Sequence, residues 1–465
     1  MQQGMLFHTV YAPNSGAYVY QLSCKLYEPL NIPAFIQAWQ KVIDRHSILR
    51  TFFVWERRDK PLQVVRRQVK LNLEQHDWRQ LEPGEQQRQL QAFLSADRQR
   101  GFDLSATPLL RQALIRISDD AFYFISTRPQ LVQDGWSGPL ILKEVFAYYE
   151  ALSRGQDLQL DPPRPFRDYI SWLQQQDLAQ AEAFWRKTLK GFTAPTPLPD
   201  AGSGRIAETG QPRFAEQQLH LSVDATERLQ RFAAAHELTV NTLVQGAWAL
   251  LLSRYSGERD LVFGVVVSGR PAELSGSEKM VGLFINTLPL RVQIDGEAVA
   301  VDWLKKIQAG QVEARQYEYA PLLDVQGWSE VRRGVGLFES LLVFENYPVD
   351  SSTREHDGGL QVEDADLSKR DGHHPLFVTA VPGQALSLKI SFDSHRFSAA
   401  TITQMLSHFE TLLVSFAQHS DDTLDQLGEI LDHAEKEQQL LQESELQQAS
   451  LSKLKSIRRK AVSEA

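Results

Sequence analysis

The residues best placed to do chemistry fall in one stretch, Arg128-Pro129-Gln130-Leu131-Val132-Gln133-Asp134-Gly135-Trp136-Ser137. Its centre is Gln130, whose amide can hydrogen-bond but cannot take up a proton near neutral pH. Other polar groups read as structural. Cys24 lies in an alternating stretch with Lys25 and Leu26, which fits a half-buried strand thiol rather than a nucleophile. His373-His374 is followed by Pro375 and preceded by Asp371-Gly372, a surface loop before a strand. His408-Phe409-Glu410 has the H-x-E spacing of an iron facial triad, but inside an expected helix it is a helix-face coincidence. Glu339, Glu345 and Asn346 flank a strand and read as rim or interface groups. Gly202-x-Gly204 falls in a linker, so no phosphate-binding glycine loop is present.

A large framework must position these groups. A chain of 465 residues, 42% hydrophobic, can bury a large core and predicts two domains. A net charge of −9 excludes a basic face for nucleic acid. One cysteine excludes an internal disulfide framework and fits a reducing, cytoplasmic setting. No apolar run approaches the ~18–20 residues of a bilayer-crossing helix, and no signal peptide opens the chain.

Alternation predicts a strand over 17–26. After it, Asn31 as N-cap, Pro33 in the first turn, and Ile32, Phe35, Ile36, Trp39, Val42 and Ile43 at helical spacing predict a helix. Strands at 109–117 and 121–127 lead into the polar stretch. A helix over 138–153 follows, with Leu140, Ile141, Val145, Tyr148, Tyr149 and Leu152 inward. Residues 177–189 read as helix, and 191–213, rich in Gly, Pro, Thr and Ser, as a crossover. Beyond it come a strand at 214–221, helices at 224–236 and 240–255, and the continuous apolar run Leu261 to Val267, suited to a strand buried on both faces. A strand near 338–348, another at 386–392 and a helix at 399–416 complete the pattern.

Several segments, in order, resemble the motifs of the condensation domains of nonribosomal peptide synthetases. Met1-Gln2-Gln3-Gly4-Met5-Leu6-Phe7-His8 is similar to the middle of the first motif, which implies a lead-in before it. Arg45-His46-Ser47-Ile48-Leu49-Arg50-Thr51-Phe52-Phe53 is similar to RHxxLRTxF, and Phe166-Arg167-Asp168-Tyr169 to the fourth motif. Met280-Val281-Gly282-Leu283-Phe284-Ile285-Asn286-Thr287-Leu288 is similar to the fifth, and residues 338–348 to a further family strand. The stretch at 128–137 resembles the HHxxxDG signature with both histidines replaced, by Pro129 and Gln130, and Asp134-Gly135-Trp136-Ser137 retained.

The resemblance spans roughly residues 1–440. It implies an α/β fold of two chloramphenicol-acetyltransferase-like lobes, a V-shaped pseudo-dimer with a central tunnel open to a carrier protein at each end. The expected divisions are an N-terminal lobe over 1–175, a crossover linker over 176–213 and a C-terminal lobe over 214–434. A helical and basic tail over 435–465 would lead to a following domain. Gln130, Gly135, Trp136 and Ser137 would line the tunnel, and Asp134 would pair with Arg270 of the second lobe as a structural contact. In the family the second histidine lies beside the amine that attacks a carrier-bound thioester. Pro129 fixes φ, removes an N–H and restricts Arg128 before it.

Loss of both histidines beside an intact Asp-Gly-Trp-Ser points to a domain kept for its shape. The tail, Leu451-Ser452-Lys453-Leu454-Lys455-Ser456-Ile457-Arg458-Arg459-Lys460, reads on pattern as a basic solvated linker. It also resembles the lead-in to iron/2-oxoglutarate hydroxylases in some synthetases. Together these resemble the interface domains, non-catalytic relatives that hold a β-hydroxylase against an aminoacyl carrier protein. The implied partners are a peptidyl carrier protein, that hydroxylase and neighbouring synthetase domains. No cofactor or metal would be bound directly, the carrier's phosphopantetheine arm bringing the substrate. The rival reading is a condensation domain in which Gln130 positions an already neutral amine. An epimerisation domain is a weaker third, since that chemistry also uses the missing histidine.

Overall fold

Two mixed sheets organise the chain in the computed structural model, which describes residues 2–11, 18–27, 30–198, 214–346, 361–369 and 374–436. The first core begins with the helix Ile32–Arg45. Asn31 Oδ1 accepts from the Ala34 N–H at 3.2 Å, and Pro33 sits in the first turn. Phe35, Trp39, Val42 and Ile43 are buried, and the helix packs on Ser137–Ser153. The first sheet runs, in spatial order, Gln361–Lys369, Val19–Tyr27, Ala121–Pro129, Arg111–Arg116 and Leu73–Asp77. Ala121–Pro129 is an interior strand buried at every position. Phe122 and Phe124 enter the main core, whereas Tyr123 and Ile125 meet Leu90 and Leu94 of the helix Pro83–Gln99. Period-two alternation thus sends one strand's side chains into two separate cores.

The second sheet runs Phe214–His220, Ser387–Asp393, Leu376–Val381, Ser340–Phe344, Asp260–Val267 and Asn286–Gln293. Asp260–Val267 lies between parallel Ser340–Phe344 and antiparallel Asn286–Gln293, and its consecutive residues Leu261 to Val265 are all buried, so both its faces are covered, which accounts for the apolar run. Across Val240–Ser256 every residue from Thr242 to Leu252 is buried, so the helix is enclosed rather than amphipathic. It packs on Ala399–Gln418, where Trp248 and Phe409 meet at 5.8 Å between ring centroids.

Chain order does not coincide with core membership. The strand Gln361–Lys369, inside the span read as the second lobe, pairs antiparallel with Val19–Tyr27 in the first sheet. Leu274, Met280, Val281, Leu283 and Phe284 likewise join the first core. Within the expected linker, the helix Leu178–Thr188 places Ala181 and Trp185 in the second core. Helices Pro83–Gln99 and Ala300–Arg315 are further elements that the sequence reading leaves unassigned. The basic tail lies outside the described residues.

Candidate functional site

The strand Ala121–Pro129 delivers the signature loop. Pro129 has φ −73° and ψ 142°, ordinary extended backbone, so the proline closes the strand without kinking it. Pairing continues one residue further, the Gln130 N–H donating to the Tyr18 carbonyl at 2.7 Å. A short 3-10 turn over Gln130–Val132 follows, and the Gln2 side chain of the first helix, Gln2–Tyr11, donates to the Leu131 carbonyl at 2.9 Å. The first motif therefore braces the signature.

Asp134 is buried in a dense set of donors. Its Oδ1 accepts from the Ser137 N–H at 2.9 Å, and its Oδ2 from the Phe284 N–H at 3.2 Å. Arg270 Nη2 reaches Oδ1 at 3.1 Å and Oδ2 at 3.2 Å. The Ser137 hydroxyl accepts from the Gly282 N–H at 3.0 Å and lies 2.7 Å from Asp134 Oδ1 and 2.9 Å from the Gly282 carbonyl. Its single proton is best given to the charged oxygen. Arg270 also donates to the Met280 carbonyl at 2.9 Å and lies over the Phe284 ring, 4.1 Å from its centroid.

Glycines permit this approach. A Cβ on Gly282 would lie 2.1 Å from Phe166 Cδ2. Gly269 has φ +59°, and a Cβ there would lie 2.0 Å from the Phe284 carbonyl oxygen. Phe166 and Tyr169 pack on Phe284 at 5.2 and 4.4 Å between centroids, so the fourth motif closes the same junction.

The other end of the loop is built differently. Gln130 is buried, at 5% exposure, yet among the described residues its carboxamide has no hydrogen-bond partner. Gly135 is buried and Trp136 partly exposed. Ser137, expected among the tunnel residues, is instead committed to Asp134 and Gly282. Such a centre can position a reactant by hydrogen bonding, but Gln130 supplies no group that takes up a proton. The second motif is architectural: His46 Nε2 lies 2.6 Å and Arg45 Nε 3.1 Å from Glu144 Oε2, tying the helices Ile32–Arg45 and Ser137–Ser153.

Two residues escape the sequence reading. Arg128 is buried beside the signature without a carboxylate partner among the described residues. Glu318 lies half-buried near the Arg270 turn, its carboxyl pushed up to about 7 by burial, against the opposing charge of Arg315 and a hydrogen bond from the Gly269 N–H. Its own carbonyl accepts from Asn286 Nδ2 at 2.8 Å. Neither carries a sequence signal, since isolated charges look alike until the fold removes their solvent.

The remaining polar groups stand apart. Burial pushes the Cys24 thiol up to about 12, an inert strand cysteine. His408 is buried in Ala399–Gln418 with Nδ1 3.1 Å from the Tyr255 hydroxyl, and His374 stacks on Phe338. His373 lies outside the described residues. Glu339 pairs with Arg396 at 3.0 Å. Among the described residues no cluster of His, Cys, Asp and Glu could hold a metal, and no helix is long and apolar enough to cross a membrane.

The chain matches the family described as Condensation domain over residues 1–440. It is 45% identical over 442 residues to one component of the linear gramicidin synthase of Brevibacillus parabrevis, covering 95% of this chain and 9% of that protein. It is 35% identical over 442 residues to bacitracin synthase 3 of Bacillus licheniformis, covering 94% and 7% respectively. The chain thus spans less than a tenth of these relatives. Among solved structures, the starter condensation domain of rhizomide synthetase aligns with TM-score 0.75 at 19% identity, over 91% of this chain and 94% of that one. A complex of the X-domain and OxyB from teicoplanin biosynthesis contains a chain with TM-score 0.75 at 19% identity, over 92% and 94%. These two share the fold, the chloramphenicol-acetyltransferase-like α/β arrangement expected from the motifs. On the family match and these relatives, the chain belongs to the condensation-domain family of nonribosomal peptide synthetases.

Proposed function

We propose that this domain is a non-catalytic, interface-type member of the family. In this reading it docks an aminoacyl carrier protein and recruits an iron/2-oxoglutarate β-hydroxylase, the tail from 435 onward leading to a following domain. The observation that carries it is the contrast within one loop. The Asp134–Arg270 scaffold is complete, while Gln130 stands where the family places its histidine and offers no proton acceptor. The phosphopantetheine arm would bring the substrate, and the hydroxylase would hold the iron. An X-domain of the same fold in complex with OxyB supports recruitment as a use this fold can serve. An acidic chain of net charge −9 gains little from gross attraction to an acidic carrier, so docking would rest on local basic and apolar contacts. The test is hydroxylation of a loaded aminoacyl carrier by its oxygenase with and without this domain. Faster hydroxylation in its presence is expected, and equal rates would remove recruitment as the function.

A second reading has one observation in its favour. The Gln130 carboxamide has no protein partner among the described residues, so its oxygen is available to orient a neutral amine for amide formation. Dipeptide synthesis from loaded donor and acceptor carriers, at rates like those of a histidine-bearing relative, would put this reading first.

A further inference from the structure

Arg128 is the penultimate residue of Ala121–Pro129, opposite Tyr20 on the neighbouring strand. It is 7% exposed, and its guanidinium lies 5.7 Å from the Tyr20 ring centroid. Among the described residues it makes no ion pair or hydrogen bond, and its Nε is sealed from solvent without a partner. The carboxylate whose charge it feels, Asp134, is already committed to Arg270. A guanidinium does not escape burial by losing its proton, so its N–H donors persist as unmet demand. A ring face at that distance satisfies charge only weakly and uses none of the donors in a directional bond.

A second positive feature adjoins it. The helix Ser137–Ser153 starts here, and a Cβ on Gly138 would lie 3.4 Å from Arg128 Nη2. That first turn contains no acidic residue of its own, and Asp134 just before it accepts only its first N–H, on Ser137, at 2.9 Å. A 17-residue helix directs its positive end to the same place as the guanidinium, and glycine leaves that side of Nη2 uncovered. The carboxylate nearby is shared between Arg270 and the helix's first N–H, so the buried Arg128 guanidinium is left as the group that defines a site for an anion.

We propose that Arg128 anchors a carboxylate subsite beside Gln130, so that the acyl group presented at the signature loop is an acidic one. This rests on the reading above only in that a carrier-borne acyl chain must reach the loop. A carboxylate fits better than phosphate because the arm's phosphate lies at the carrier end, remote from the acyl group, while the planar guanidinium fork matches a carboxylate's two oxygens.

The test is calorimetric titration of the whole 465-residue chain with aspartyl- and asparaginyl-pantetheine analogues in which a stable amide replaces the thioester. The aspartyl analogue should bind at least about tenfold more tightly, and Arg128→Gln should erase that preference. Equal binding by the unaltered chain overturns the subsite but leaves the scaffold reading standing. Binding by neither analogue also overturns the subsite, since no acyl arm then reaches the loop, while the scaffold reading is decided separately by the hydroxylation comparison. Free succinate binding as tightly as the aspartyl analogue would reduce the site to one for loose anions and also overturn the proposal. Thermal melting provides a check that does not need ligand. Arg128→Met should raise the melting temperature, because it removes an unpaired buried charge. A lowered one would mean that Arg128 is already satisfied within the protein, against the proposal.

Discussion

At one end of the signature loop, Asp134 is met by an arginine, a hydroxyl and two backbone N–H groups; at the other, Gln130 and Arg128 are buried with side chains that find no hydrogen bond among the described residues. The two ends are joined by only a few residues and share one strand, one turn and one helix start. Folding needs the Asp134 end, because it fastens 270–284 onto the first core. It does not need a hydrogen-bonding partner for Gln130. The comparison separates what the loop does for architecture from what it could do for a bound acyl group.

The sharpest way to break the comparison is to remove one member of the buried pair. Asp134→Ala or Arg270→Ala leaves the other charge uncompensated, which typically costs about 3–5 kcal/mol. Either variant should melt well below the parent in a thermal scan or lose solubility. An Asp134→Ala protein as stable as the parent would make the scaffold end as dispensable as the other. Gly269→Ala and Gly282→Ala attack the same junction sterically. Overpacking costs about 1–3 kcal/mol, and Gly269 adds roughly 1 kcal/mol for its left-handed backbone, so Gly269→Ala should be the worse of the two. Calorimetric melting of both variants checks that order.

A third test uses pH. The Glu318 carboxyl is raised to about 7 in the folded chain from an ordinary 4.5, so the folded state holds that proton more tightly than the unfolded one. Its stabilising effect is full below about pH 4.5 and is lost as pH rises through 7. Over that window the group alone should account for up to about 3 kcal/mol. Glu318→Gln should flatten this part of the pH–stability profile and raise the melting temperature at pH 8 relative to the parent. An unchanged profile would show that Glu318 is solvated rather than desolvated at the Arg270 turn.

Much of this architecture is legible in the residues themselves. Asn31 and Pro33 announce a helix start because a free N–H needs an acceptor and a proline fits a first turn. Leu261–Val267 announces an interior strand because consecutive residues, Leu261 to Val265, are buried on both faces and both edges are paired. The motifs place Asp134, Arg270 and Gln130 within one fold, but no periodicity says that Gln361–Lys369 returns to the first sheet, since strand pairing is a long-range choice between similar edges. Arg128 and Glu318 are illegible for a related reason. Their interest lies in lost solvent and missing or opposing partners, which exist only once distant segments have packed.

The smallest expected effect concerns Gln130 itself. A histidine at 130 would gain a titratable nitrogen but inherit its surroundings: the strand end set by Pro129 and a buried guanidinium two residues away. A positive neighbour and burial both oppose protonation of an imidazole. The proton uptake expected of a general base is therefore disfavoured at the moment it is needed, and the ~10²–10⁴-fold contribution of such a base is not recovered. Gln130→His should leave dipeptide formation from loaded carriers near the parent's background by mass spectrometry, and should change the melting temperature much less than Asp134→Ala. Adding Arg128→Met to Gln130→His should help more than Gln130→His alone, because it removes the opposing charge. If the single change gave product at the rate of a histidine-bearing relative, the two ends of the loop would differ by one residue only, and the domain would be a condensation enzyme with a replaceable base.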